Sequence, residues 1–112
     1  MPATDGGLCC REMFRHLTHT QVLMPLDVTG VIAVAPPDVD LTTPGDAESV
    51  RAFLVEPLCS VVLHRGTWHW GPYPVSGDSV ELFNVQGLRY REDNQRVDLE
   101  ALGTPLDVRL GG

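Results

Sequence analysis

The segment Cys59 to Pro72, CSVVLHRGTWHWGP, holds the residues best suited to chemistry. An apolar run ends at His64, a Gly66 turn follows, and His69 comes between Trp68 and Trp70, so the spacing places both imidazoles near one strand end. Imidazole nitrogens ligate metals or move protons near neutral pH, and indole walls exclude water and hold a small substrate. The same pattern fits a structural histidine held by carbonyls beside packed core indoles, and the residues alone leave both readings open. A second segment, FRHLTHTQVLMP from Phe14 to Pro25, sets His16 and Gln21 either side of a Thr-rich turn that enters a strand. His16, Gln21 and His69 together would be a thin, neutral ligand set for a divalent metal such as nickel, zinc or iron. His19 is read as a turn residue facing solvent. Arg15 and Arg65 adjoin candidate histidines; a guanidinium is the natural bidentate holder of a substrate carboxylate, and each also fits a plain surface charge.

The elements that must position these residues are strands. Apolar runs rich in Val, Leu and Ile cover Thr20 to Met24, Gly30 to Ala35, Arg51 to Val55, Cys59 to Leu63, Val80 to Val85 and Asp107 to Leu110. Turn signals separate them at Pro25, Pro36-Pro37, Pro44-Gly45, Pro57, Gly71-Pro72 and Gly77-Asp78,. Many short strands with regular punctuation predict an all-β sandwich or barrel. The one helical signal, Asp46 to Val50, predicts a single connecting turn. The tail Gly103 to Gly112 reads as a closing edge strand or a partner-facing arm, with Pro105 limiting its pairing.

A chain of 112 residues has the size of one domain,. We expect a single domain over 1–112, with residues 1–13 a loosely ordered arm. Fifteen acidic against eight basic residues give a formal charge of -7. The basic residues Arg89, Arg91 and Arg96 are interrupted by Glu92 and Asp93, which argues against a nucleic-acid partner,. No apolar run reaches the roughly 18 residues of a membrane span, and Met1 to Cys10 does not resemble a secretory signal, so a cytoplasmic protein is expected. Cys9, Cys10 and Cys59 are odd in number and define no disulfide framework; Cys9-Cys10 read as incidental thiols of the arm.

From Arg15 onward the chain resembles the ureidoglycolate lyase family. RAFLVEPLCSVVLHRGTWHWGPYPV, then VELFNVQ and VDLEAL, is similar to the C-terminal half of those proteins, and FRHLTHTQVLMP resembles the R-H-x-x-x-T-Q strand that precedes it. The resemblance implies a cupin-type β-barrel, a double-stranded β-helix, in a homodimer that splits ureidoglycolate into glyoxylate and urea during allantoin breakdown. A divalent metal accompanies some members. It places His16, Gln21 and His69 on three of four cupin metal-ligand positions. The fourth, acidic in relatives, is Phe14, which cannot ligate a cation. Relatives also have an N-terminal section that helps close the barrel and an acidic-basic pair where this chain has Gln86-Gly87. We therefore expect a short barrel that dimerisation closes.

Lyase action on this carbinolamide requires removal of the hydroxyl proton, collapse to the carbonyl and protonation of the departing urea nitrogen. The resemblance assigns His69 as metal ligand or base, His64 as proton shuttle or orienting partner, and Arg65 or Arg15 as holder of the substrate carboxylate. Trp68 and Trp70 would line the site. We expect His69 on the floor of the principal pocket with His16 and Gln21 facing it across the barrel. A different cupin chemistry, or a small-molecule-binding domain without turnover, stays open beside the lyase reading.

Overall fold

The computed structural model describes residues 7–42, 44–88, 92–103 and 105–109. Its strands, in chain order, are β1 (Gly7–Cys10), β2 (Glu12–Arg15), β3 (Gln21–Pro25), β4 (Gly30–Ala35), β5 (Arg51–Val55), β6 (Val61–Leu63), β7 (Trp68–Pro74), β8 (Leu82–Val85), β9 (Gln95–Asp98) and β10 (Leu106–Arg109). A single 3-10 segment, Pro44–Ser49, precedes β5 and takes the place of the connecting turn expected at Asp46 to Val50. The chain is all-β, as the short apolar runs predict, and no helix among the described residues is long and apolar enough to cross a membrane.

The central layer is a five-stranded antiparallel sheet in the order β5-β4-β7-β2-β9. β4, GVIAVA, shows why a continuous apolar run forms here: both of its faces are covered,. On one face Val31, Ala33 and Ala35 join Met13, Trp68, Trp70, Leu41 and Leu99 in a core shared with Leu8, Cys10 and Val108 of the β1-β10 pair. On the other face Ile32 packs with Leu23, Val55 and Leu63 beneath the three-stranded sheet β6-β3-β8. The strands therefore stack in layers, and no closed barrel is found among the described residues. Among the described residues β5 and β6 each pair on one side only, with β4 and with β3, so the expected barrel is open along these edges there.

Three expectations change. The arm expected over residues 1–13 is built of paired strands in its described part: β1 pairs with β10, β2 pairs with β7 and β9, and Cys10 and Met13 are fully buried. Cys10 is thus a core residue, and its burial pushes the thiol up to about 12, which keeps it unreactive,. Gly71-Pro72 was read as a turn, yet β7 runs through it; a register shift against β4 between Val31 and Ala33 accommodates the irregularity,. Met1 to Gly6, Arg89, Arg91 and Leu110 lie outside the described residues.

Met13 is the side chain through which β2 enters the core, so Met13→Ala should destabilise the fold by about 2–5 kcal/mol, measurable as a lower urea midpoint. A second expectation concerns assembly. β5 and β6 carry Phe53, Leu54 and Val62 at least half exposed. Val62 and Val85 both oppose Val22 in register, making an apolar stripe on the outer face of β6-β3-β8. Unpaired edges and such a stripe favour self-association; sedimentation at micromolar concentration should report a dimer, and a monomer would refute this.

Candidate active site

Strand alternation decides which candidate residues can meet. In β7, Trp68 and Trp70 oppose Ala35 and Ala33 and lie in the Met13 core, whereas His69 opposes Val34 and Phe14 and lies on the other face,. The segment that was read as a turn presenting all three side chains together is a strand, and its two-residue period separates them. Trp70 tilts against Tyr73 at 4.5 Å. Trp68 donates from Nε1 to the Val39 carbonyl at 2.6 Å, and the Arg15 guanidinium stacks over its ring at 4.3 Å. Arg15 also donates to Gln95 Oε1 at 2.7 Å and to the Pro37 carbonyl. Arg15, Trp68 and Trp70 therefore form a packed unit on the face away from His69, a correction to their expected place around it. The open clefts beside the indoles are lined by residues such as Asp40, Thr42 and Gln95, or Arg11, Tyr73 and Glu100, and neither includes His16 or His69.

The residues that gather around His69 come from the Thr-rich turn after β2. His16 tilts against His69 with ring centroids 5.2 Å apart, and His19 stacks on His16 at 4.8 Å. His19 was expected to face solvent, but its side chain is only 13% exposed. Gln21 opens β3 on the row that includes Leu23, so it faces the same interior as Ile32 and Val34; its Nε2 donates to Asn84 Oδ1 at 2.9 Å. His16, Gln21 and His69 are all buried. His64 and Arg65 are exposed on the turn before β7, and their side chains make no hydrogen bond or ion pair among the described residues. The structure does not bring His64 to His69, because His64 lies beyond the end of β6, outside the pairing that buries Leu63. Gly66 has φ 78, and its N–H donates to the His16 carbonyl at 2.7 Å, which ties this turn to the histidine turn,.

Hydrogen bonding assigns tautomers. His16 Nδ1 lies 2.6 Å from the Asp93 carbonyl, which only accepts, so Nδ1 carries a hydrogen, and in the neutral ring Nε2 then holds the lone pair,. His69 Nδ1 makes a longer contact, 3.5 Å, with the Thr67 carbonyl. Burial, and next the proximity of His16, lower the His69 pKa to about 4, so the ring is neutral at neutral pH,. His19 Nε2 and Gln21 Oε1 are buried without a hydrogen-bond partner among the described residues.

Asp93 was missed by sequence reading, since it sits in a polar stretch far from the histidines. Its carboxylate accepts from the Leu17 N–H at 2.8 Å, the Thr18 N–H at 2.7 Å and the Thr18 hydroxyl, and it pairs with His19 Nδ1 at 3.4 Å. These bonds, with the Thr18 hydroxyl first, hold it down to about 2. No local signal ties it to the turn, since 77 residues separate it from His16.

A divalent cation fits the described donors poorly. No group of three His, Cys, Asp or Glu side chains is arranged to hold a metal ion among the described residues, and Phe14, directly opposite His69, adds no donor. Two imidazoles and one amide oxygen are a neutral, incomplete set.

The profile of the ureidoglycolate lyase family matches residues 8–108. The chain belongs to the ureidoglycolate lyase family. Comparison with curated proteins gives no match. The family match takes in both strands that carry the site, β2 with its following turn and β7, and also β1, which the resemblance from Arg15 onward had left out.

The His69 shift carries a stability consequence. Its folded pKa lies below the ordinary value, so the unfolded chain binds more protons between pH 6.5 and about 4. Stability from this group is complete above that window and falls as pH drops through it, by up to about 1.4 kcal/mol per pH unit. Urea denaturation from pH 7 to 4 should show this slope, and His69→Gln should flatten it.

Proposed function

We propose that this protein is a ureidoglycolate lyase that releases glyoxylate and urea. The observation that carries the reading is a buried, neutral His69 in ring contact with His16, in a chain whose family match spans nearly its whole length. In this reading His69 takes the hydroxyl proton of the carbinolamide, the carbon–nitrogen bond breaks as the aldehyde carbonyl forms, and the same proton passes by way of His16 to the departing urea nitrogen. The net change is one proton moved from oxygen to nitrogen, with no oxidant or reductant. Arg65, exposed on the turn tied to His16 through Gly66, is the guanidinium assigned to the substrate carboxylate in place of Arg15,. No step is routed through a metal. A reducing, cytoplasmic setting belongs to the same proposal and accords with three free thiols.

A second reading, a domain that binds a small carboxylic acid without turning it over, is favoured by Phe14, which opposes His69 where relatives have an acidic residue. One experiment separates the two. The purified protein should release glyoxylate from ureidoglycolate; His69→Ala should lower kcat at least a hundredfold while the fold persists, and Arg65→Gln should act mainly by raising KM. Calorimetric binding of a small hydroxy acid without glyoxylate release would select the second reading.

A further inference from the structure

Asp93 and His19 have no part in the steps just described, yet together they surround His16. The contacts converge from a segment 77 residues away in sequence: the Asp93 main chain takes His16 Nδ1–H, and its carboxylate takes donors from the next residues of the turn. The His19 ring stacks on His16, 21° from parallel, and His69 tilts against His16 at 41°. Gly87 closes the stack from behind. A Cβ at that position would lie 2.6 Å from His19 Nδ1 and 2.7 Å from Cγ. The φ of Gly87 is not in the left-handed region, so the imidazole rather than the backbone requires the missing side chain.

We propose that Asp93 and His19 are positioning residues for His16: they hold it in the Nδ1–H tautomer with its ring against His69, leaving Nε2 as the nitrogen that exchanges a proton with a small hydroxy-acid substrate. The catalytic half of this statement rests on the lyase reading; the tautomer half does not. A clamp with a merely structural role would hold the turn and be indifferent to which ring nitrogen is protonated. The orphaned atoms argue for more than a clamp. His19 Nε2, in the ring stack on His16, and Gln21 Oε1, on the strand that follows the turn, are both buried without partners among the described residues and leave polar capacity that a bound hydroxy acid can satisfy,.

The test uses the full chain, labelled with nitrogen-15, and reads histidine tautomers from long-range proton–nitrogen correlations alongside steady-state kinetics on ureidoglycolate. In the native protein His16 should show a protonated Nδ1 and a bare Nε2. Gly87→Ala pushes first on the His19 side chain, and Asp93→Ala removes the carboxylate. Both should convert His16 to a mixture of tautomers and lower kcat about tenfold with KM changed less than twofold. Should Asp93→Ala fail to fold, Gly87→Ala decides. A native His16 tautomer in the folded variants, even with a lowered melting temperature, overturns the proposal. If the native protein releases no glyoxylate, the lyase reading falls, and the tautomer result still decides whether Asp93 and His19 position His16.

Discussion

Pairing of β4 with β7 at the centre of the five-stranded sheet is the constraint on which the rest of this protein depends. Both strands are buried on both faces, so each side chain along them is committed to one of two interiors. Ala33 and Ala35 leave room for Trp70 and Trp68 on one side, and the small alanines make that fit possible. Val34, between them, turns the opposite way and lies beside His69. A shift of one residue in this register would exchange the indoles with the imidazole and place a polar ring in the larger apolar core. Burial of two Trp side chains, each worth several kcal/mol, opposes that slip far more strongly than any property of His69.

The same arrangement sets the chemistry. His69 is held where solvation is poor because its neighbours in register, Val34 and Phe14, are apolar. The cost is a ring that resists protonation, and the consequence is a neutral imidazole available at neutral pH,. His16 escapes isolation because its Nδ1 finds a carbonyl at Asp93. His19 and Gln21 each leave one buried polar atom unpaired among the described residues, and an unpaired buried group costs about 1–3 kcal/mol. Such a cost is tolerated where a fold reserves polar capacity for a ligand, and the His19 atom belongs to the ring stack on His16,.

The open edges follow from the short strands. Among the described residues β6, Val61–Leu63, pairs only with β3, and β5 pairs only with β4. The Glu56 to Ser60 turn that joins them crosses from the five-stranded to the three-stranded sheet without a ladder between them. An all-β chain of this size buries its core by stacking layers, with Leu41 and Leu99 from connecting segments filling the outer layer,.

Strands made of consecutive apolar residues were legible from the sequence, and β4 and β5 have the bounds that their runs predict; burial on a pleated surface accounts for the β-branched residues of β4, whereas β5 is mostly exposed and is a strand through its pairing with β4,. β2 and β9 were not legible: EMFR and QRVD are short and mostly polar, and they become strands only because a partner supplies the hydrogen bonds. β7 was masked by Gly71-Pro72, whose turn chemistry is overridden by pairing with β4. The histidines were visible as residue types, and the family resemblance named the two that meet. The sequence by itself determined an all-β chain of the ureidoglycolate lyase family with imidazoles at 16 and 69. Only the tertiary structure decided that the indoles turn away from His69, that His19 joins the cluster and that Asp93 anchors it. Those facts depend on register and on contacts across 77 residues, and no local propensity encodes either,.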